Sequence, residues 1–395
     1  LRAGDFFLEN RAVRLELDPT SGRIASLIHR ASGVDLADPS RPGAVVLQDT
    51  TDTWSHRALA YREEIGAFEP VGVRLVESGP VRAILRAESA FGASTLVQDY
   101  VLGAPDDAVE LRVILDWHEQ ARLLKLRFPT RLEAVTATYE IPYGTIERPP
   151  NGEEEPGQRW VDVTGSAGEQ RVGLAVLNDG KYSFDVDGDS IGVTAVRSPI
   201  FAHHDPTIPR PGVRYQFQDQ GQQRFTVALM PHGGEGWIPA VTRRAALLNQ
   251  RPATLLESQH PGDLPATTSY VAVEPGNVVL GAVKLAEDPG GDLVVRLVET
   301  AGQACRAVVR MADWGREFSV QLGASEIRTF RVPAAPAAAV VETDLLEWPL
   351  AAAEPLAAPE PAPENVDASA SSEPPVDGPD RPAPTRGDPI AEVAG

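Results

Sequence analysis

The chain has 395 residues, 42% of them hydrophobic and 23% charged, an ordinary globular composition with length enough for two or three domains. Its 56 acidic and 36 basic residues give a formal net charge of −20 with no offsetting basic patch, which argues against nucleic acid and anionic lipid as partners. One cysteine, Cys305, excludes an internal disulfide framework and a cysteine-based zinc site, and no apolar run approaches the roughly 20 residues that span a bilayer.

Residues 7–35 alternate as a half-buried strand does: Val13, Leu15 and Leu17 point one way, Arg14 and Glu16 the other. The turn from Asp18 to Gly22 follows, then Ile24, Leu27 and Ile28, then a turn at Ser32-Gly33. The same grammar recurs at 71–76 and 81–86 around Ser78-Gly79-Pro80. It recurs again at 96–102 and 109–115 around Gly103 to Asp107. Buried strands are expected at 173–177, 191–196 and 224–229. Closely spaced short strands with Gly, Pro and Asp turns predict an all-β sandwich over residues 1–240.

A helix is expected at about 240–249, ending before Pro252 and serving as a linker over 241–252. Residues 253–350 predict a smaller β-sandwich, with a hairpin from 278–285 to 293–299 across a five-residue loop and further strands at 319–322 and 327–332. Thirteen prolines fall between Pro333 and Pro389, and residues 351–395 carry nine acidic and two basic residues, a net of −7. That tail is expected to stay disordered. Leu345, Leu346 and Trp348 are candidates to dock a short final strand. No signal peptide or Asn-x-Ser/Thr sequon is visible, which points to the cytoplasm. The first residue is Leu rather than Met, as expected of a processed start or of a piece of something longer.

No phosphate-binding loop, nucleophile elbow or metalloprotease helix is present. Polar and aromatic clusters stand out instead. Asp52, Trp54 and His56, with Tyr61 behind them, suit a sugar, since a Trp face stacks on a pyranose and a carboxylate accepts hydroxyl hydrogen bonds. Asp116-Trp117-His118-Glu119 reads mainly as strand. A stretch from Tyr139 to Asp162 reads as a long loop carrying Tyr143, Arg148 and Asn151, and a loop of that length in a β domain is usually functional or disordered. Asn178-Asp179-Gly180 is a turn signal beside Lys181 and Tyr182. His203 and His204 on a strand would point to opposite faces, so no metal ligands are assigned. His232 reads as a structural histidine. Glycoside hydrolysis needs two carboxyl groups at set separations, and spacing singles out none of Asp52, Glu119, Glu140 and Asp219.

Several of these strings together resemble bacterial α-mannosidases of glycoside hydrolase family 38: Leu8-Glu9-Asn10, Asp52 to His56, Asp116 to Glu119, Ala137 to Gly144, Leu177 to Tyr182, Arg197-Ser198-Pro199, Asp219-Gln220-Gly221 and Leu229 to His232. The match runs in order over about residues 5–332 and covers only the C-terminal half of such enzymes. The resemblance implies a large galactose-mutarotase-like β-sandwich with smaller ones attached. It also implies that the zinc, the Asp nucleophile and the acid lie in an N-terminal α/β domain for which this chain has no counterpart. The chain is then expected to carry no cofactor and no catalytic residue of its own. It would partner that catalytic domain and an α-mannoside oligosaccharide, with Asp52, Trp54, His56, Tyr143, Arg148 and Asn151 nearest the sugar. Two other readings stay open, a stand-alone carbohydrate-binding module and a sugar mutarotase or epimerase using His118 or His204 with Glu119 or Glu140.

Overall fold

The computed structural model describes residues 1–204 and 210–350, and almost all of its regular structure is antiparallel strand. A nine-stranded sheet contains the long strands Glu69–Ser78, Arg82–Phe91, Ser94–Gly103, Val109–Trp117, Gly221–Gly233, Gln170–Asn178, Trp160–Ala167 and Glu133–Ile141, in that spatial order, with Gly144–Arg148 at the far edge. A six-stranded sheet is centred on Arg122–Pro129, flanked by Ala44–Gln48 and Ser190–Arg197. A five-stranded meander from Arg2 to Asp35 completes the first group.

These sheets form because their strands are two-sided. Along Val109–Trp117 every second residue, from Val109 through Leu111, Val113 and Leu115 to Trp117, is buried, while Glu110, Arg112 and Asp116 are partly exposed. Leu124, Leu126, Ile191 and Val193 of the six-stranded sheet enter the same core, as do Leu8, Leu15, Leu17 and Leu27 of the meander. Each fully buried Leu or Val contributes about 1.5–3 kcal/mol relative to exposure. The opposite face of the six-stranded sheet is different. There Leu123, Lys125 and Arg127 alternate outward and stand beside Val45, Leu47, Asp185, Thr194 and Arg197.

The helix Ile238–Asn249 has Pro239 in its first turn, where a missing N–H costs nothing. Val241, Ala245 and Leu248 recur on one face and pack on Trp160, Leu177, Ala228 and Met230 of the nine-stranded sheet. Beyond it, a three-stranded sheet (Ala272–Glu274, Cys305–Met311, Arg316–Leu322) and a four-stranded sheet (Val278–Leu285, Leu293–Glu299, Ile327–Val332, Val341–Thr343) share a second core built on Val295, Leu297, Val309, Phe318 and Phe330. The hairpin from 278 to 299 lies where the sequence puts it.

Three expectations need correction. The stretch from Tyr139 to Asp162 is not one long loop. Glu133–Ile141 turns at Pro142-Tyr143 into Gly144–Arg148, and Glu155–Pro156 forms a second short strand. His203 and His204 lie outside any strand. The last strand is Val341–Thr343, whereas Leu345, Leu346 and Trp348 beyond it are exposed. The 351–395 tail lies outside the described residues. Among those residues no helix is long and apolar enough to cross a membrane.

Candidate functional site

The outer face of the six-stranded sheet supports two chain segments, residues 49–63 and 149–156. Arg197, at the end of its strand, holds the first. Its Nε donates to Asp49 Oδ2 at 2.7 Å, Nη1 to the Thr53 carbonyl at 3.1 Å, and Nη2 to Thr51 Oγ1 at 2.5 Å and to the Asp52 carbonyl. A planar fork meets four acceptors on one loop, which a lysine cannot do. Thr53 ties the loop to the 200–203 segment. Its Oγ1 donates to the Ile200 carbonyl at 2.8 Å and accepts from the His203 N–H at 3.0 Å.

Within this frame Asp52 is buried and oriented. Its Oδ1 accepts the N–H groups of Trp54 (3.1 Å) and His56 (2.9 Å), and its Oδ2 lies 2.5 Å from His56 Nδ1. Ser55 takes a left-handed backbone conformation, φ 57°, which folds the loop back on Asp52. Above the carboxylate stand three rings. Those of His56 and His204 stack with centroids 4.7 Å apart, and Trp54 tilts over His204 at 5.5 Å. Trp54 is 59% exposed. The result is an open aromatic and imidazole platform over a fixed carboxylate, with Tyr61 Oη donating to Ser55 Oγ behind it.

The second segment is secured from the same sheet. Lys125 is fully buried, with Nζ at 2.8 Å from Asp185 Oδ1 and also paired with Glu154. Arg127 Nη2 donates to Asp185 Oδ2 at 3.0 Å. Ser183 and Thr194 hydroxyls donate to Glu154 Oε2. Between the two segments lies a cleft of about 360 Å³, lined among others by Tyr61, Arg62, Gly152 and Asp187. Arg62 spans it, donating to the Asn151 carbonyl at 2.9 Å.

Thus Asp52, Trp54 and His56 come together, and His204, 148 residues further on, joins them. Asn151 flanks the adjoining cleft. Arg148 lies over the Tyr139 ring at 4.8 Å and pairs with Glu155, and Tyr143 sits exposed at a hairpin turn with φ 59°. Among the described residues, no hydrogen bond, ion pair or ring contact joins Tyr143 or Arg148 to the Asp52 platform.

The remaining clusters hold the fold. Trp117 is buried and donates to Ser198 Oγ at 2.6 Å, and Glu119 accepts from Ala93 N–H, Ser94 Oγ and Arg122. Glu140 is bound by the Arg159 fork and main-chain N–H. Asn178 Oδ1 accepts the N–H groups of Gly180 and Lys181, the turn its sequence announces. Lys181 lies over Phe225, and burial pushes its ammonium below the ordinary lysine value. His203 packs edge-on against Tyr215, so the adjacent histidines do diverge, though in a loop rather than on a strand.

The class defined here is an all-β sandwich whose loops build a ring-lined platform. Residues 8–207 match the family described as the glycosyl hydrolases family 38 C-terminal domain, and the chain belongs to that family. It is 32% identical over 322 residues to human alpha-mannosidase 2C1, covering 76% of this chain and 29% of that protein. It is 26% identical over 325 residues to alpha-mannosidase G of Dictyostelium discoideum, covering 76% and 28%. The crystal structure of an alpha-mannosidase from Enterococcus faecalis V583 shares the fold, with TM-score 0.69 and 16% identity over 84% of this chain and 42% of that one. The chain therefore spans less than a third of these curated relatives.

Proposed function

We propose that this chain is the C-terminal, structural and substrate-edging part of a zinc-dependent, retaining α-mannosidase that hydrolyses terminal α-mannosides of oligosaccharides in the cytoplasm. In this reading the catalytic zinc, nucleophile and acid belong to the family's N-terminal α/β portion. That portion is the chain's partner, and the chain alone is catalytically silent. Residues 1–240 form the large sandwich, 241–252 the linker, 253–350 the small sandwich and 351–395 the tail.

The observation that carries the role is the exposed Trp54 ring beside His56 and His204, over a carboxylate anchored from the six-stranded sheet. An aromatic face with polar groups at its edge is what a pyranose requires. In this reading Asn151, beside the adjoining cleft, and Tyr143 and Arg148, on the neighbouring hairpin, are the further residues assigned to the sugar's edge. Glu119 and Glu140 are each taken up by an arginine and by main-chain or hydroxyl donors, which favours a supporting role over a hydrolytic one.

The test has two arms. With zinc supplied, the purified 395-residue chain is expected to release no mannose from an aryl α-mannoside. In the complete enzyme, Trp54→Ala is expected to raise KM for a manno-oligosaccharide about 2- to 10-fold, the loss of one ring contact, with kcat nearly unchanged. Mannose release by the chain alone, or an unaltered KM, would refute the proposal.

A further inference from the structure

We infer that Asp52, His56 and His204 form a binding site for a divalent transition-metal ion of the zinc type. The inference rests on the geometry of these side chains and not on the proposed mannosidase role. It concerns residues of this chain and not the zinc that the family resemblance places elsewhere.

One ligand atom from each residue lies within 4.8 Å of the others. Asp52 Oδ2 is 2.5 Å from His56 Nδ1 and 3.8 Å from His204 Nδ1. Donors at roughly 2.0–2.2 Å from a tetrahedral zinc stand about 3.4 Å apart, so the two distances bracket the requirement. The carboxylate is the rigid member. Its side chain is fully buried, and two main-chain N–H groups fix Oδ1, which turns Oδ2 toward both imidazoles. The Arg197 fork and the Thr53 bridge hold the loop and the 200–203 segment against each other, so the approach of His204 to Asp52 is built into the fold. The two rings are the adjustable members, with side chains 47% and 66% exposed, and small rotations equalise the spacing.

Ligand chemistry selects the ion. Calcium and magnesium take six or more oxygens, whereas two imidazoles and one carboxylate suit zinc and its neighbours. Three protein ligands at an accessible surface make an open site rather than a closed structural one. A plain His–Asp hydrogen bond accounts for His56. The second imidazole stacks on the first and brings its Nδ1 to 3.8 Å from the same oxygen, which supplies the third donor.

The test uses the 395-residue chain after chelation and dialysis, with zinc titrated against a chromophoric chelator and Co²⁺ absorption as a second readout. One equivalent of zinc is expected. His56→Ala and His204→Ala should each weaken binding by more than about tenfold, since even losing a residue that only orients a ligand costs 10- to 100-fold. His260→Ala should leave it unchanged, and near-ultraviolet circular dichroism checks that each variant is folded. The inference is overturned if the wild type binds zinc no more tightly than the double variant. It is equally overturned if His56→Ala weakens binding and a folded His204→Ala does not, which leaves only the His56–Asp52 pair.

Discussion

Gly173→Ala tests how closely the nine-stranded sheet is fitted around a buried His–Asp hydrogen bond. Gly173 pairs with Thr164 on one neighbouring strand and with His232 on the other. His232 reaches across it, its Nε2 2.7 Å from Asp162 Oδ2, while Thr164 Oγ1 donates to Asp162 Oδ1 at 2.6 Å. The imidazole also stacks on Trp237, with centroids 4.6 Å apart. A Cβ on residue 173 would stand 2.4 Å from His232 Cε1 and 2.7 Å from Thr164 Oγ1. Neither neighbour is a flexible end, because Asp162 is fully buried and His232 is held on three sides. Overpacking alone costs about 1–3 kcal/mol, and relief of glycine's backbone entropy returns about 0.5–1. A contact at 2.4 Å cannot be absorbed in place, so the ring must leave Asp162, and depriving that buried carboxyl of its partner adds about 1–3 kcal/mol. A net loss of about 3 kcal/mol is expected, read as the urea midpoint of tryptophan fluorescence with unchanged m-value. Gly180→Ala is the control, since a Cβ there meets nothing within 4 Å. A Gly173→Ala variant within about 0.5 kcal/mol of this control would refute the reasoning.

Glu299 is fully buried beside the second core. Burial acts to raise its carboxyl, but the N–H groups of Ser325, Ala301 and Gln303 and the Asn277 amide outweigh it and hold it below the ordinary value of 4.5. A carboxyl lower in the folded state stabilises fully above its unfolded value and loses that contribution as pH falls through its folded value. Glu299→Gln should therefore cost about 1–3 kcal/mol near neutrality, with the gap closing on acidification. A gap constant from about pH 7 to 3 in denaturant titrations would contradict this. Lys125→Met keeps the shape but leaves Glu154 with two hydroxyl donors and no cation and Asp185 with Arg127 as its one cation, so about 3–5 kcal/mol should be lost in thermal unfolding. Arg197→Lys gives up most of a four-acceptor fork, so amide exchange over residues 49–56 should accelerate about tenfold or more while the nine-stranded core keeps its protection.

Period-2 patterning made the strands readable. Val13–Leu17 and Val109–Trp117 bury alternate residues as their sequences require, and the Asp18 turn is locked by its own side chain accepting from the Thr20 and Ser21 N–H groups. Gly144–Arg148 was hidden because it is an edge strand with three exposed residues and no apolar face, so only its hydrogen bonds to Glu133–Ile141 mark it. Leu345, Leu346 and Trp348 misled in the opposite sense. They are apolar yet exposed, while main-chain pairing puts the final strand at Val341–Thr343. At the site, Asp52, Trp54 and His56 are legible because one short loop holds them all. His204 is not, because its approach depends on how two strands far apart in sequence are placed.

That dependence explains why the platform belongs to the sheet rather than to the loop. Leu123 and Arg197 are register partners, and so are Leu47 and Leu123, so these three side chains stand on one outer face. Leu123 packs there with Val45, Leu47 and Tyr61, and the Arg197 guanidinium lies 5.9 Å from the Tyr61 ring. The apolar members fix the height of residues 49–63 above the sheet, and the Arg197 fork fixes their direction. A β-bulge between Leu124 and Lys125 shifts the register of the same strand pair, so Lys125 faces Thr194 and both reach Glu154 on the second segment. One strand, Arg122–Pro129, thereby positions both walls of the cleft. Altering its outward residues should disturb the two segments together, whereas altering Trp54 or His204 should change binding and leave the fold intact.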